Sequence, residues 1–122
     1  MRYLVFFLMA FFIFTPAVDA QTTQAVGAKS SVAIYGHGNS RCSDYNQFRF
    51  EQNDAILKNY QVWLNGMLSS YNTFVSKTGD VAGGLRSDEL MLWVEDFCRL
   101  NPNTYFQRAA IELLRSLETG QF

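Results

Sequence analysis

Asp54-Ala55-Ile56-Leu57-Lys58-Asn59-Tyr60-Gln61-Val62-Trp63-Leu64-Asn65-Gly66-Met67-Leu68-Ser69-Ser70-Tyr71-Asn72-Thr73-Phe74 sets the fold class of this 122-residue chain. Ile56, Tyr60, Trp63, Met67 and Tyr71 recur at steps of three and four, and Leu57, Leu64 and Leu68 widen the same face. That period lines one side of a helix, which needs a partner surface to leave water. Asn53 or Asp54 supplies an N-cap. Gly66 costs about 1 kcal/mol relative to alanine in a helix interior, so its presence predicts close approach of a second helix.

The flanking segments read as partners of this helix. Downstream, Ser87 caps a third helix with Asp88 and Glu89 in its first turn, where the helix dipole favours acids. Its inward stripe is Leu90, Trp93, Val94, Phe97 and Cys98, and Asn101-Pro102 ends it. Thr104 caps a fourth helix with the stripe Phe106, Ala109, Ala110, Leu113, Leu114 and Leu117, stopped by Gly120. Upstream, a first helix runs from Ser40 or Cys42 to about Gln52, with the narrow stripe Tyr45, Phe48 and Phe50. The pattern predicts an all-α fold, a small four-helix (three to five helices) single domain over residues 40–119. Ser76–Arg86, with three glycines and no period, is the one long loop, predicted mobile and a candidate for recognition.

The N-terminus carries an address. Arg2 precedes an apolar run from Tyr3 to Phe14, and Thr15-Pro16-Ala17-Val18-Asp19-Ala20 ends in small residues. That is the design of a signal peptide over 1–20, cleaved after Ala20. The run would make a helix of about 18 Å, short of a hydrocarbon core roughly 30 Å thick; an uncleaved anchor is the alternative. Residues 21–39 read as a flexible leader containing a short extended segment, Val32-Ala33-Ile34-Tyr35, and a turn, Gly36-His37-Gly38-Asn39. The expected location is therefore periplasmic or secreted, with no membrane span after cleavage.

Ten Lys/Arg against eleven Asp/Glu give a net charge of −1, which offers no basic field for nucleic acid. In an oxidising compartment the isolated pair Cys42 and Cys98 is most simply a disulfide, the alternative being two free thiols. It would close a loop of about 57 residues, for which the chain-entropy model gives roughly 4 kcal/mol. The spacing excludes a C-x-x-C redox pair.

Catalytic chemistry finds little to work with. His37 is the only histidine, and it sits between two glycines, where nothing would hold a general base rigid; it reads as an exposed loop residue. Asp88-Glu89 and Glu95-Asp96 are neighbours on a helix, about 100° apart, so their carboxylates diverge. Glu95 with Arg99, and Arg108 with Glu112, read as surface pairs four residues apart. No catalytic, metal or cofactor site is expected. Tyr35, Tyr45, Tyr105 and Phe122 fall off the clear stripes and are candidates for an exposed apolar patch. With Gly79, Asp80 and Arg86 of the long loop, Tyr35, Tyr45 and Tyr105 make the candidate interaction surface.

Two pieces of the chain, Arg41-Cys42-Ser43-Asp44-Tyr45 and Trp93-Val94-Glu95-Asp96-Phe97-Cys98-Arg99-Leu100-Asn101-Pro102, resemble the cysteine segments of the HdeA/HdeB acid-stress chaperones. Those are small exported helical proteins of the Gram-negative periplasm with one disulfide joining comparable places. The resemblance implies a Cys42–Cys98 disulfide. It also implies a homodimer that comes apart at low pH and offers apolar surface to unfolded client proteins. More loosely, the signal peptide, size and helical design are similar to those of the Rap1a/Tai immunity proteins, which implies instead one dedicated protein partner, a secreted toxin.

Overall fold

The computed structural model describes residues 32–122; the expected signal peptide and the leader up to residue 31 lie outside the described residues. Four helices follow one another: α1 (Cys42–Phe50), α2 (Asp54–Phe74), α3 (Ser87–Leu100) and α4 (Phe106–Thr119). A single 3-10 turn, Gly36–Asn39, precedes them. The all-α, four-helix, single-disulfide reading is correct. Among the described residues no helix is long and apolar enough to cross a membrane.

The core forms where the stripes meet. Tyr60, Leu64 and Leu68 of α2, Leu90, Val94 and Cys98 of α3, and Phe106, Ala109, Ala110, Leu113 and Leu114 of α4 are buried together with Cys42 and Tyr45 of α1. The two alanines of α4 present little side-chain bulk, which suits a helix packed on α3 and on the Gly36–Asn39 turn. Cys42 and Cys98 form the disulfide, with Cα atoms 4.8 Å apart and both residues fully buried.

The start of α1 is fastened a second time by backbone. A helix leaves its first N–H groups without intrahelical partners. Here the Cys42 N–H donates to the Thr104 carbonyl and the Ser43 N–H to the Pro102 carbonyl, each at 2.8 Å. The Phe106 N–H donates in turn to the Ser40 carbonyl at 2.8 Å, and Arg41 and Tyr105 form an isolated antiparallel bridge. The Asn46 side-chain amide reaches the Cys98 carbonyl at 3.0 Å. The staple thus sits inside a hydrogen-bonded joint between the start of α1 and the α3–α4 turn.

Helix starts differ from the sequence reading by one residue. Ser87 is the first residue of α3 rather than its cap, and its hydroxyl bonds Asn65 Oδ1 at 2.6 Å. Tyr105, not Thr104, stands at the cap of α4. At α1 and α3 the third helical residue reaches back: Asp44 accepts from the Arg41 N–H at 3.0 Å, and Glu89 from the Arg86 N–H at 2.7 Å. This is the acidic half of a capping box. Asn53 does cap α2, accepting from the Ile56 N–H.

Four expectations are corrected. Gly66 faces open space, with nothing within 4 Å of where its Cβ would be, so no helix crosses there. Close approach occurs instead at Gly38, which lies against the Trp63 ring. The ordered domain therefore begins before residue 40: the Gly36–Asn39 turn packs on α2 and α4, and the Tyr35 carbonyl accepts from the Trp63 indole N–H at 2.8 Å. His37 is half-buried, its ring 4.4 Å from that of Tyr60, rather than exposed. Finally, Tyr45 is 2% exposed and belongs to the core, because one helical turn after the buried Cys42 it points the same way.

Candidate functional site

The aromatic residues divide into a filled interior and a lined exterior. Inside, Tyr45 packs on Tyr60 and Phe106 with ring centroids 5.1 and 5.4 Å away, and Trp63 and Tyr60 each meet Phe106 edge-on at 5.8 and 4.8 Å. Such tilted and edge-to-face pairs are the favoured aromatic geometry. The Gly36–Asn39 turn forms a strap over this cluster. Other aromatics, Phe50 and Phe74 among them, stay exposed.

Outside, a groove of about 770 Å³ runs between α3 and α4. Trp93 and Phe97, one turn apart on α3, stack with centroids 5.7 Å apart and planes 12° from parallel. Both are half-buried and line the groove. Facing them on α4 are Arg108, Glu112 and Arg115, at helical spacings of four and three. Glu112 Oε1 lies 2.9 Å from Arg108 Nε as an ion pair and accepts from Arg115 Nη1 at 2.7 Å. One carboxylate therefore serves two guanidinium groups, and the α4 wall keeps a surplus positive charge. Trp93 and Phe97, read from the sequence as part of an inward stripe, are only half-buried and line this groove; Arg108–Glu112 is the pair the spacing suggests, and Arg115 is the addition.

A second groove, of about 420 Å³, lies among α1, α2 and α3 and is lined by Leu57, Met91 and Leu92 together with Tyr45. Arg49 and Glu95 pair across it at 2.9 Å, so Glu95 binds α1 and not Arg99 of its own helix. Arg99 pairs with Asp96. Burial pushes the Tyr45 phenol up to about 12, with Glu95 adding to the effect and Arg49 opposing it, so Tyr45 keeps its proton. Charges of both signs, Arg49 and Lys58 with Asp54, Asp88 and Glu95, leave this groove without a strong preference.

The remaining members of the candidate surface each have their own surroundings. Tyr35 is 82% exposed; Tyr105 is 44% exposed with the Arg41 guanidinium 4.9 Å over its ring. Asp80 is occupied in holding its own loop, accepting from the Ala82 N–H at 3.1 Å and the Gly84 N–H at 2.9 Å. The Val81 N–H donates to Asn72 Oδ1, and Val81, Ala82 and Leu85 pack on the core. Gly79, Gly83 and Gly84 take left-handed backbone in this loop. Arg86 grips Asp88 with two bonds of 3.1 and 2.6 Å, which holds the Asp88 carboxyl below its ordinary range. The loop is thus folded on itself.

Among the described residues, no three His, Cys, Asp or Glu side chains gather as a metal site. No protein-family model, no curated protein and no solved structure matches this chain.

Proposed function

We propose that this chain is an exported, non-catalytic protein-binding protein that acts as an acid-stress chaperone of the HdeA/HdeB kind. The observation that carries the reading is where its carboxylates stand. Asp44 and Glu89 accept from the backbone N–H groups of Arg41 and Arg86, the residues just before α1 and α3, and Asp80 accepts from two backbone N–H groups of the α2–α3 loop. Glu95 ties α3 to α1, and Glu118 of α4 accepts from the Tyr71 hydroxyl of α2. These junctions hold the apolar stripes in place. Ionised acceptors bond about twice as strongly as neutral ones, so these junctions draw on the charge of their carboxylates. Strong acid removes negative charge from the whole chain and leaves its basic side chains unopposed, which favours opening by self-repulsion. The disulfide is unaffected by protonation, so the opened chain stays tethered between α1 and α3. The signal-like N-terminus and the disulfide agree with a periplasmic or secreted address.

The test is an acid titration of the oxidised protein with an aggregating client alongside. Near-UV signal loss, apolar-dye binding and client protection are expected together below about pH 4. A chain that stays compact and dye-negative down to about pH 2.5 refutes the reading.

A second reading is favoured by the α3–α4 groove. It is open in the folded chain and has an aromatic wall, as a binding site for one fixed protein partner requires, in the manner of a Rap1a/Tai immunity protein. Binding of one partner at neutral pH without acid activation separates it from the first.

A further inference from the structure

We infer that the α3–α4 groove binds a segment of another protein that carries carboxylates beside an apolar side chain. The inference deepens the fixed-partner reading by giving the partner its chemistry. Two features of the groove select the segment. The first is the stacked Trp93–Phe97 pair, half-buried on one wall with nothing of this chain laid over it among the described residues. Aromatic surface of this kind takes apolar side chains and anchors interfaces.

The second is the uneven charge on the other wall. Arg108 and Arg115 share the single oxygen Glu112 Oε1, Arg115 through one N–H and Arg108 as an ion pair at 2.9 Å. A guanidinium carries five N–H donors in a planar fork matched to carboxylate, so donors on both remain for a visitor. Their side chains are more than half exposed, whereas that of Glu112 is 26% exposed. Glu112 thus spaces the two cations and cancels only one. Asn101 and Thr104, also on the lining, add neutral hydrogen-bonding groups.

A second copy of this chain is a poor occupant. A two-fold dimer sets the same patch against itself, which would bring two arginine pairs face to face. A basic segment meets the same repulsion. An acidic segment meets complementary charge, which raises its encounter rate and makes binding salt-dependent.

The experiment follows the Trp93 indole N–H by NMR at neutral pH, assigned with a Trp93→Phe variant. The probes are three amphipathic peptides of equal length with leucine on one face and glutamate, glutamine or lysine on the other. The glutamate peptide is expected to shift the Trp93 signal and bind at least about tenfold tighter than the lysine peptide, with the advantage shrinking as salt rises from about 20 to 200 mM. In Arg108→Glu/Arg115→Glu the preference should reverse. Arg108→Gln/Arg115→Gln, which places no new charge beside Glu112, should abolish it while circular dichroism stays unchanged. Equal binding of all three peptides at Trp93 overturns the acidic preference and leaves the groove as a protein-binding site. No Trp93 shift with any peptide overturns both the preference and the groove.

Discussion

Gly38 lies so close to the Trp63 indole that a Cβ built on it would fall 2.0 Å from Trp63 Cζ2 and 2.5 Å from Cε2. Its backbone is outside the left-handed region, so close approach alone calls for glycine here. A methyl group must push the strap off the indole, and overpacking of this kind costs about 1–3 kcal/mol. Gly38→Ala is expected to lower stability by that amount in urea unfolding. In a Trp63→Leu background the same change should cost much less, since contacting residues couple. Equal costs in the two backgrounds would show that the strap does not rest on the ring.

Gln52 takes φ of +53°, the one non-glycine residue with positive φ among those described. It ends α1 in a Schellman motif: the Gln52 N–H bonds the Arg49 carbonyl, and the Asn53 N–H bonds the Phe48 carbonyl. α4 ends the same way with Gly120 at the corresponding place, φ +68°. Left-handed backbone strains a side-chain-bearing residue by about 1–2 kcal/mol, and glycine removes that at some cost in unfolded-chain entropy. Gln52→Gly should therefore raise stability by about 0.5–1 kcal/mol. An unfolding midpoint that falls would contradict it.

Both residues explain what could be read in advance and what could not. α2 was legible from Asp54 to Phe74 because a 21-residue helix repeats its stripe often enough to show its period, and Asn53 marks its start. α1 has nine residues, and Phe50, the third apolar residue of its expected stripe, is 91% exposed. With so few turns the pattern could not show that Tyr45 faces inward. The strap has no period at all; its place depends on a glycine fitting one tryptophan, a tertiary fact. Gly66 misled because a helix-interior glycine and a packing glycine look alike in sequence. The α3–α4 groove was half legible: its residues lie on readable helices, but two arginines sharing one carboxylate is a matter of side-chain geometry.

Reduction separates the two fasteners at the start of α1. Cys42→Ala/Cys98→Ala is expected to cost about 2–4 kcal/mol, the usual effect of opening a long loop. The backbone bonds from Cys42 and Ser43 to Thr104 and Pro102 do not need the sulfurs. Amide exchange should therefore rise most in α1, while α2 and α4 keep their protection. Uniform loss across all four helices would mean that the bridge, and not the joint around it, holds α1 in place.

Asp80 provides a check on the α2–α3 loop. Its carboxylate holds the Ala82 and Gly84 N–H groups, so Asp80→Ala leaves both without that acceptor. The expected cost is about 1 kcal/mol, with faster amide exchange at 81–85 and little change within the helices. Unaltered exchange in the loop would mean that the packing of Val81 and Leu85 suffices to order it.

Alkaline titration reads the core directly. Tyr45 is held with its phenol raised to about 12, chiefly by burial, and burial also raises Tyr60. Unfolded, both titrate near their ordinary value of 10.0. A phenol whose folded value lies above its unfolded value adds stability that is fully present below pH 10 and is lost as pH rises through the folded value. For Tyr45 the loss amounts to at most about 3 kcal/mol, since a rise from 10.0 to about 12 is worth 1.36 kcal/mol per pH unit. Part of the tyrosinate absorbance should thus rise only above pH 11, where Tyr45 ionises together with loss of near-UV signal as the aromatic cluster opens. Tyr45→Phe keeps the ring packing and removes the titrating hydroxyl, so it should move the alkaline unfolding midpoint upward. A single absorbance step near pH 10 with the fold intact would place the Tyr45 hydroxyl in water and not in the core.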